Sequence, residues 1–439
     1  MTKSCGRIFH CKKNEGTMKT VTIGIIGFGT VGRGVFEVLS KNGGLVAQRT
    51  GIQIKIASIC DNNPDTLRPV ENQLKTTAVW QELVDDPSID IIVELIGGLE
   101  PAGEIILTAL KKGKSVVTAN KKLLAERGGA IFGAAASSAG LLRFEAAVGG
   151  GIPCLLVLGT GMAANRIKSI IGILNGTTNY ILSRMERDLL SFDDVLKEAQ
   201  QKGFAEADPS FDINGFDAGH KISILAMLAY GKSIDYAQIA IEGISRISEL
   251  DIKYAKDMGY IIKLLGIARM TDDLLDISVH LTMLPEIHPL ASVRDEFNAI
   301  MIDGDMTAPI LLYGKGAGSV PTASAVISDI IQIASEPSVK MHYLLDEAAA
   351  FLPNNKRVSK YYLRLYTKDE PGILSKITGI LGQHFVSIAS LIQRETSASW
   401  VPLIFTTHSV NEASVMQAVR ELDETSLIKE DMLIMRIED

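Results

Sequence analysis

The chain has 439 residues, room for about three domains at roughly 150 residues each, and its 46% hydrophobic content supports a substantial buried core. A net charge of −7 and a pI near 5.6 argue against a general nucleic-acid surface. No stretch reaches the roughly 20 uninterrupted apolar residues of a membrane span, so a soluble globular protein with neither nucleic-acid nor membrane partners is expected.

Residues 1–17 are polar and weakly basic, without the apolar core of a signal peptide, and 1–18 reads as a tail with no assigned function. Cys5, Cys11, Cys60 and Cys154 have neither metal-ligand spacing nor the density of a disulfide scaffold. They point to free thiols in a reducing compartment, with the cytoplasm as the default.

Val21 to Ile26 is an apolar strand pattern that runs into Gly27-Phe28-Gly29-Thr30-Val31-Gly32, after which Val35, Phe36 and Leu39 recur at helical spacing. Strand, glycine turn and helix in this order suit a dinucleotide. The first glycine permits the turn, the second admits a pyrophosphate against the backbone, and the third lets the helix pack closely. A second strand, Gln53 to Ile59, ends at Cys60-Asp61. An acid there would bind the ribose 2′-hydroxyl of NAD and repel the 2′-phosphate of NADP. Asp61-Asn62-Asn63-Pro64 also reads as a plain turn, so the sequence does not rank the two cofactors. Strands follow at Ile89 to Leu95 and Ser115 to Thr118, with a helix over Ile105 to Leu110 between them. Their carboxyl ends, Gly97-Gly98 and Thr118 to Lys121, would line the crevice of an open α/β sheet. Residues 19–150 form this nucleotide-binding domain.

From 151 to 320 strands such as Ser169 to Leu174 alternate with expected helices such as Asp257 to Ala268, giving a mixed α+β domain. Inside it, Gly203 to Lys221 collects acids, turn formers and a lysine. Asp208-Pro209 and Asn214-Gly215 predict a loop presenting Glu206, Asp208 and Asp212. A helix then starts near Asp217, with Ala218, Ile222, Leu225 and Ala229 on its apolar side and Asp217 and Lys221 four apart on one face. A carboxylate and an amine thus point into one cleft. Taken alone, the pattern also fits a helix start with a surface ion pair.

A helix over Pro321 to Ser335, within 321–345, is expected to return to the nucleotide domain, and 346–360 contains the polar linker Pro353 to Arg357. Residues 361–439 then follow a strand-helix-strand-strand-helix-strand order, which is ferredoxin-like.

Read in order, GFGTVG (27–32), VELIGGLEPA (93–102), VVTANKKLLA (116–125), AAVGGGIP (146–153), ILNGTTNYIL (173–182), AEADPSFDINGFDAGHK (205–221) and GKGAGSVPTASAV (314–326) resemble homoserine dehydrogenases. KDEPGILSKITGIL and SIASLIQ resemble an ACT domain, a small-molecule sensor of amino-acid metabolism. The resemblance implies NAD(P)-dependent interconversion of homoserine and aspartate 4-semialdehyde. Lys221 is then the proton donor and acceptor, Lys121 contacts cofactor and substrate, and Glu206, Asp212 and Asp217 meet the substrate's ammonium and hydroxyl. Val31, Gly203 and Gly318 match cofactor-contacting positions, and Glu145, Val148, Gly150 and Ile152 match a monovalent-cation (sodium) site. A homodimer or homotetramer regulated by an amino acid such as threonine is implied as well. Two other readings compete. An aspartate-semialdehyde dehydrogenase would need a nucleophilic thiolate, for which Cys154 is the candidate. A catalytically dead sensor on the same scaffold would not need the intact Lys121, Glu206, Asp217 and Lys221 set.

Overall fold

The computed structural model describes residues 18–336, 345, 347–394, 399–429 and 432–438. The expected N-terminal tail, apart from Met18, and with it Cys5 and Cys11, lies outside the described residues, as does part of the expected linker.

The first unit is a six-stranded parallel sheet in the order Lys75–Thr77, Ile52–Cys60, Lys19–Ile26, Ile91–Glu94, Ser115–Thr118, Leu142–Arg143. In chain order that is 3-2-1-4-5-6, the doubly wound arrangement, whose ligand crevice opens at the carboxyl ends where the order reverses. Ile23, Ile25, Ile91 and Val93 are buried because helices cover both faces of the sheet. One cover is the helix Ser319–Ser335, which shares a core with Val21, Ile23 and Val35 through Ala323, Val326 and Ile330. It crosses the helix Thr30–Thr50 at Gly34, where a Cβ would lie 2.6 Å from the Ser319 carbonyl oxygen.

The second unit is an antiparallel sheet of Ile310–Lys315, Phe297–Gly304, Ile167–Ile173, Tyr260–Thr271 and Leu274–Pro285. Here one expectation fails. The run 257–268 is not a helix, since Tyr260–Thr271 pairs with Leu274–Pro285 along all twelve residues and with Ile167–Ile173 on its other side. Flanked by strands and covered on both faces, it needs no polar alternation, so its apolar pattern does not distinguish helix from strand. Gly259, at φ 80°, turns the chain out of the preceding helix Glu249–Asp257.

The C-terminal unit orders its strands Leu433–Ile437, Val358–Thr367, Val401–Thr407, Ile388–Gln393, with the helices Ile373–Gln383 and Glu412–Asp423 between them in the chain. It is ferredoxin-like, and it is not a separate sheet. Arg436 and Ile437 pair with Thr282 and Met283, joining it to the second unit. The same edge of Leu274–Pro285 also takes Ala240–Ile241 at Ser278–Val279 and Ala350–Phe351 at Leu274–Leu275. Buried polar contacts reinforce the junction. Arg364 Nη1 lies 3.2 Å from Asp251 Oδ2, and the Tyr362 hydroxyl donates to Asp251 Oδ1 at 2.8 Å.

Candidate active site

The helix Phe216–Tyr230 is preceded by Gly215 in the left-handed region, at φ 84°. Ala218, Ile222 and Leu225 bury its apolar side, which turns Asp217 and Lys221 toward the crevice below the nucleotide unit. Both are buried, at 3% and 6% exposure, which excludes the surface ion pair. Lys221 Nζ donates to Asp217 Oδ2 at 2.7 Å and to the Leu174 carbonyl at 2.7 Å. Lys121, at the start of the helix Lys121–Ser137, brings Nζ to 2.6 Å from Asp217 Oδ1, an ion contact off the hydrogen-bonding direction.

Burial pushes the Lys221 ammonium below the usual lysine range, with the Lys121 charge acting in the same direction and Asp217 opposing. For Lys121 burial is again the largest single influence, but Asp217, Asp212 and Glu206 together outweigh it and the net shift is upward. Asp217 is held low. Burial alone would raise it, and the two lysines overcome that. The Lys121–Asp217–Lys221 cluster therefore contains one ionised carboxylate, one firmly charged ammonium and one lysine eased toward its neutral form.

Asn175, which the sequence reading left without a role, ties the acids together. Its Nδ2 donates to Asp217 Oδ2 at 2.9 Å and to Asp212 Oδ1 at 2.8 Å, while its Oδ1 caps the helix Gly176–Asp188 through Thr178 N–H. Thr177 donates to the other oxygen of Asp212 at 3.0 Å. Burial, followed by the Asp217 charge, raises Asp212. The expected loop contains a short helical turn, Ser210–Ile213, and Asp208, outside the cleft lining, accepts from Ser210 N–H at 3.1 Å just before it. Glu206 is exposed and lines the cleft together with Asp212.

The cleft has a volume of about 650 Å³ and runs from this cluster to the glycine turn, with Thr30, Val31, Lys121, Gly203 and Gly318 on its wall. The turn fits a pyrophosphate. A Cβ at Gly29 would meet nothing within 4 Å, so the backbone there is open to a close approach. A Cβ at Gly32 would fall 2.2 Å from the Gly27 oxygen, which fixes how tightly the helix closes on the turn. Gly27 and Gly32 shape the turn from beneath, and Phe28 is buried edge-on against Phe36. Asp61 stands at the expected strand end, but its carboxylate accepts from Phe28 N–H at 2.7 Å and Asn63 N–H at 2.9 Å, so it braces the glycine turn.

Thr118 does not face the cleft. Its side chain points inward and donates to the buried Glu94 at 2.6 Å, while Glu94 also accepts from Ile96 and Gly97 N–H. This pair holds the loop after Glu94, and Ala119 takes the wall position instead. Glu94 was missed because an acid inside a parallel strand carries no pattern of its own.

Glu145, buried at 5% exposure, accepts from Leu155 N–H at 2.8 Å and Leu156 N–H at 2.7 Å. Burial pushes its carboxyl up to about 7, against the pull of these amides. Gly150 approaches Gly316 so closely that a Cβ would lie 2.6 Å from the Gly316 carbonyl carbon, and Gly151 N–H donates to Lys315 O. The crossover into the second unit is thereby pinned to the loop before Gly318. Cys154 is wholly buried, its Sγ 3.5 Å from the Val148 oxygen, and burial raises its thiol well above the ordinary range. It is no nucleophile.

Comparison with known proteins bears on this arrangement. Residues 153–331 match the homoserine dehydrogenase family, 27–145 the homoserine dehydrogenase NAD-binding domain, and 361–426 the ACT domain. The homoserine dehydrogenase of Neisseria gonorrhoeae is 43% identical over 96% of this chain and 99% of its own length, and that of Pseudomonas aeruginosa 40% over 96% and 99%. A solved homoserine dehydrogenase from Thiobacillus denitrificans superposes with a TM-score of 0.91 at 41% identity, over 96% of this chain and 99% of that one. A hyperthermophilic archaeal homoserine dehydrogenase mutant in complex with NADPH matches at a TM-score of 0.60 and 29% identity, over 71% of this chain and 97% of its own.

Proposed function

The chain belongs to the homoserine dehydrogenase family, and on that premise we propose how its residues divide the interconversion of homoserine and aspartate 4-semialdehyde. It is an NAD(P)-dependent oxidoreductase of aspartate-derived amino-acid biosynthesis, with an ACT domain suited to regulation. The observation that carries the division of roles is the pair of lysines on one buried aspartate.

The cleft wall from Gly29 to Gly318 would hold NAD(P), which would supply the hydride acceptor for the alcohol and the donor for the aldehyde. A hydroxyl gives up hydride only as its proton leaves, so a base must stand beside it. Lys221, eased toward neutrality, takes that proton onto Nζ and returns it in the reverse direction. Lys121 remains charged and steadies the oxygen as negative charge develops there. Asp217 orients both amines, and Glu206 and Asp212 face the substrate ammonium. Measuring homoserine oxidation with NAD and with NADP, in wild type and in Lys221→Ala, tests this assignment. Cofactor binding without turnover in the variant is the expected result, and turnover above half the wild-type rate overturns it.

The Glu145 loop suits a monovalent cation held with the Val148, Gly150 and Ile152 carbonyls. Two amides occupy two of the roughly four acceptor positions of the Glu145 carboxylate, and its raised pKa marks a buried anion short of positive charge. Its role would be structural. Threonine is the effector proposed for the ACT domain. A homodimer or homotetramer is supported by the sheet edges Ile310–Lys315 and Ile388–Gln393, which have no strand partner on their outer side among the described residues and expose Tyr313 and Leu391. A cytoplasmic location is supported by the free thiols of Cys60 and Cys154 and, among the described residues, by the lack of a helix long and apolar enough to cross a membrane.

A further inference from the structure

A cavity of about 360 Å³ lies where the segment 242–246 of the second unit faces the ACT domain, and it shares no lining residue with the catalytic cleft. That volume is in the range of small-molecule pockets, ~300–1,000 Å³. Its chemistry is divided. Arg246 and Arg436 contribute guanidinium groups and Glu242 a carboxylate, while Leu281, Met416 and Leu433 contribute an apolar wall. Arg246 engages only one nitrogen, Nη2, which donates to the Met432 carbonyl at 2.7 Å. Its Nη1 and Nε have no partner among the described residues. Arg436 is buried and held between Glu242 at 3.3 Å and Glu412 at 2.9 Å.

We propose that this junction cavity binds a small zwitterionic amino acid, its carboxylate on the Arg246 fork, its ammonium on Glu242 and its side chain against Leu281 and Met416. The proposal rests on the reading that the ACT domain regulates this enzyme, and it locates the effector at the domain junction, away from the turn at Gly372. Guanidinium forks match carboxylates, and an apolar wall beside the charges selects an amino acid with a short side chain over inorganic anions.

The cavity is also placed to affect catalysis. Ile244 N–H donates to the Ile213 carbonyl at 2.8 Å, and a Cβ at Gly243 would lie 2.3 Å from the same oxygen. The segment that lines the cavity is therefore in backbone contact with the turn between Asp212 and Asp217. A Cβ at Gly215 would meet the Glu242 carbonyl oxygen at 3.0 Å, so the two segments have little freedom to move apart. A ligand that pulls Glu242 away from Arg436 shifts the acidic turn with it. An effector that prefers one position of this turn changes activity by that preference alone.

The test is calorimetry on the full-length protein with L-threonine, L-isoleucine and L-methionine as probes, repeated on Met416→Trp, Arg246→Gln and Gly372→Asp. The first variant fills the cavity, the second removes the carboxylate fork, and the third puts a repelling carboxylate at the helix start after Gly372. The expected result is binding of at least one probe to wild type, weakened about tenfold or more in Met416→Trp and Arg246→Gln and unchanged in Gly372→Asp. Inhibition by that probe should be lost in Met416→Trp while its rate without the probe matches wild type. If Met416→Trp does not fold, Arg246→Gln decides. Binding at wild-type strength in both cavity variants overturns the junction site and leaves amino-acid regulation standing. Failure of all three probes to bind wild type overturns both.

Discussion

Lys221 Nζ lies 2.7 Å from Asp217 Oδ2, one turn away on the same buried helix, so the base and the group that tunes it move as one rigid body. Deleting the amine by Lys221→Ala should lower kcat for homoserine oxidation by about 10²–10⁴-fold, with cofactor affinity within about twofold of wild type. Fluorescence titration of NADPH beside steady-state kinetics checks both. A lowered lysine is neutral above its pKa, so oxidation should rise with pH to a plateau and aldehyde reduction should fall through the same midpoint.

Asp217 acts on Lys221 against burial and against Lys121. Its removal in Asp217→Asn should move the midpoint of the oxidation profile to lower pH, because two lysines then face each other without a shared anion. A profile that loses amplitude at an unchanged midpoint would show that Asp217 only positions the lysines.

Glu206 is exposed, and the fold does not depend on it. Glu206→Gln should therefore raise KM for homoserine by about tenfold or more and leave thermal stability unchanged, since a charged hydrogen bond to substrate is lost without disturbing a core. An unchanged KM removes Glu206 from the substrate contacts.

Glu145 gives the proposed cation a signature that does not depend on activity. Its folded pKa, about 7, lies above its ordinary 4.5, so without a cation stability declines as pH rises between these values and levels off above about 7. Sodium chloride, compared with tetramethylammonium chloride at equal ionic strength, should raise the unfolding midpoint at about pH 8 and have little effect at about pH 5. Equal midpoints in the two salts at the higher pH would dismiss the cation.

Arg364→Met leaves Asp251 buried without its guanidinium and should cost about 3–5 kcal/mol, measured by urea unfolding of the full-length protein. Adding Asp251→Leu should recover most of that loss, since the penalty belongs to the unpaired charge. Two costs that simply add would place the stabilisation elsewhere.

The parts legible in the sequence are those set by local geometry. Gly27 to Gly32 between a strand and a helix, and Asp217 and Lys221 at one-turn spacing, are patterns that no distant residue can reverse. Tyr260–Thr271 was misread because a strand covered on both faces alternates with nothing. Thr118 was misread because a polar residue at a strand end can face either way, and only the buried Glu94, on the neighbouring strand, decides which. Asn175 stood in a recognised motif, yet its two carboxylate partners lie 37 and 42 residues further on. The junction cavity was beyond reach, since Arg246 and Arg436 come together only after both units have folded.

The joining of the ACT strand Leu433–Ile437 to Leu274–Pro285 also bears on how the protein is made. A ribosome releases Pro285 roughly 150 residues before Ile437, about 8–30 s of synthesis at ~5–20 residues per second. Through that interval the Thr282–Met283 stretch, paired with Ile262–Lys263 on one side, lacks its partner on the other and can pair there with the same stretch of another nascent chain. Translation speed across the last third of the message, and chaperone supply during it, should therefore govern soluble yield more than the stability of the finished enzyme does.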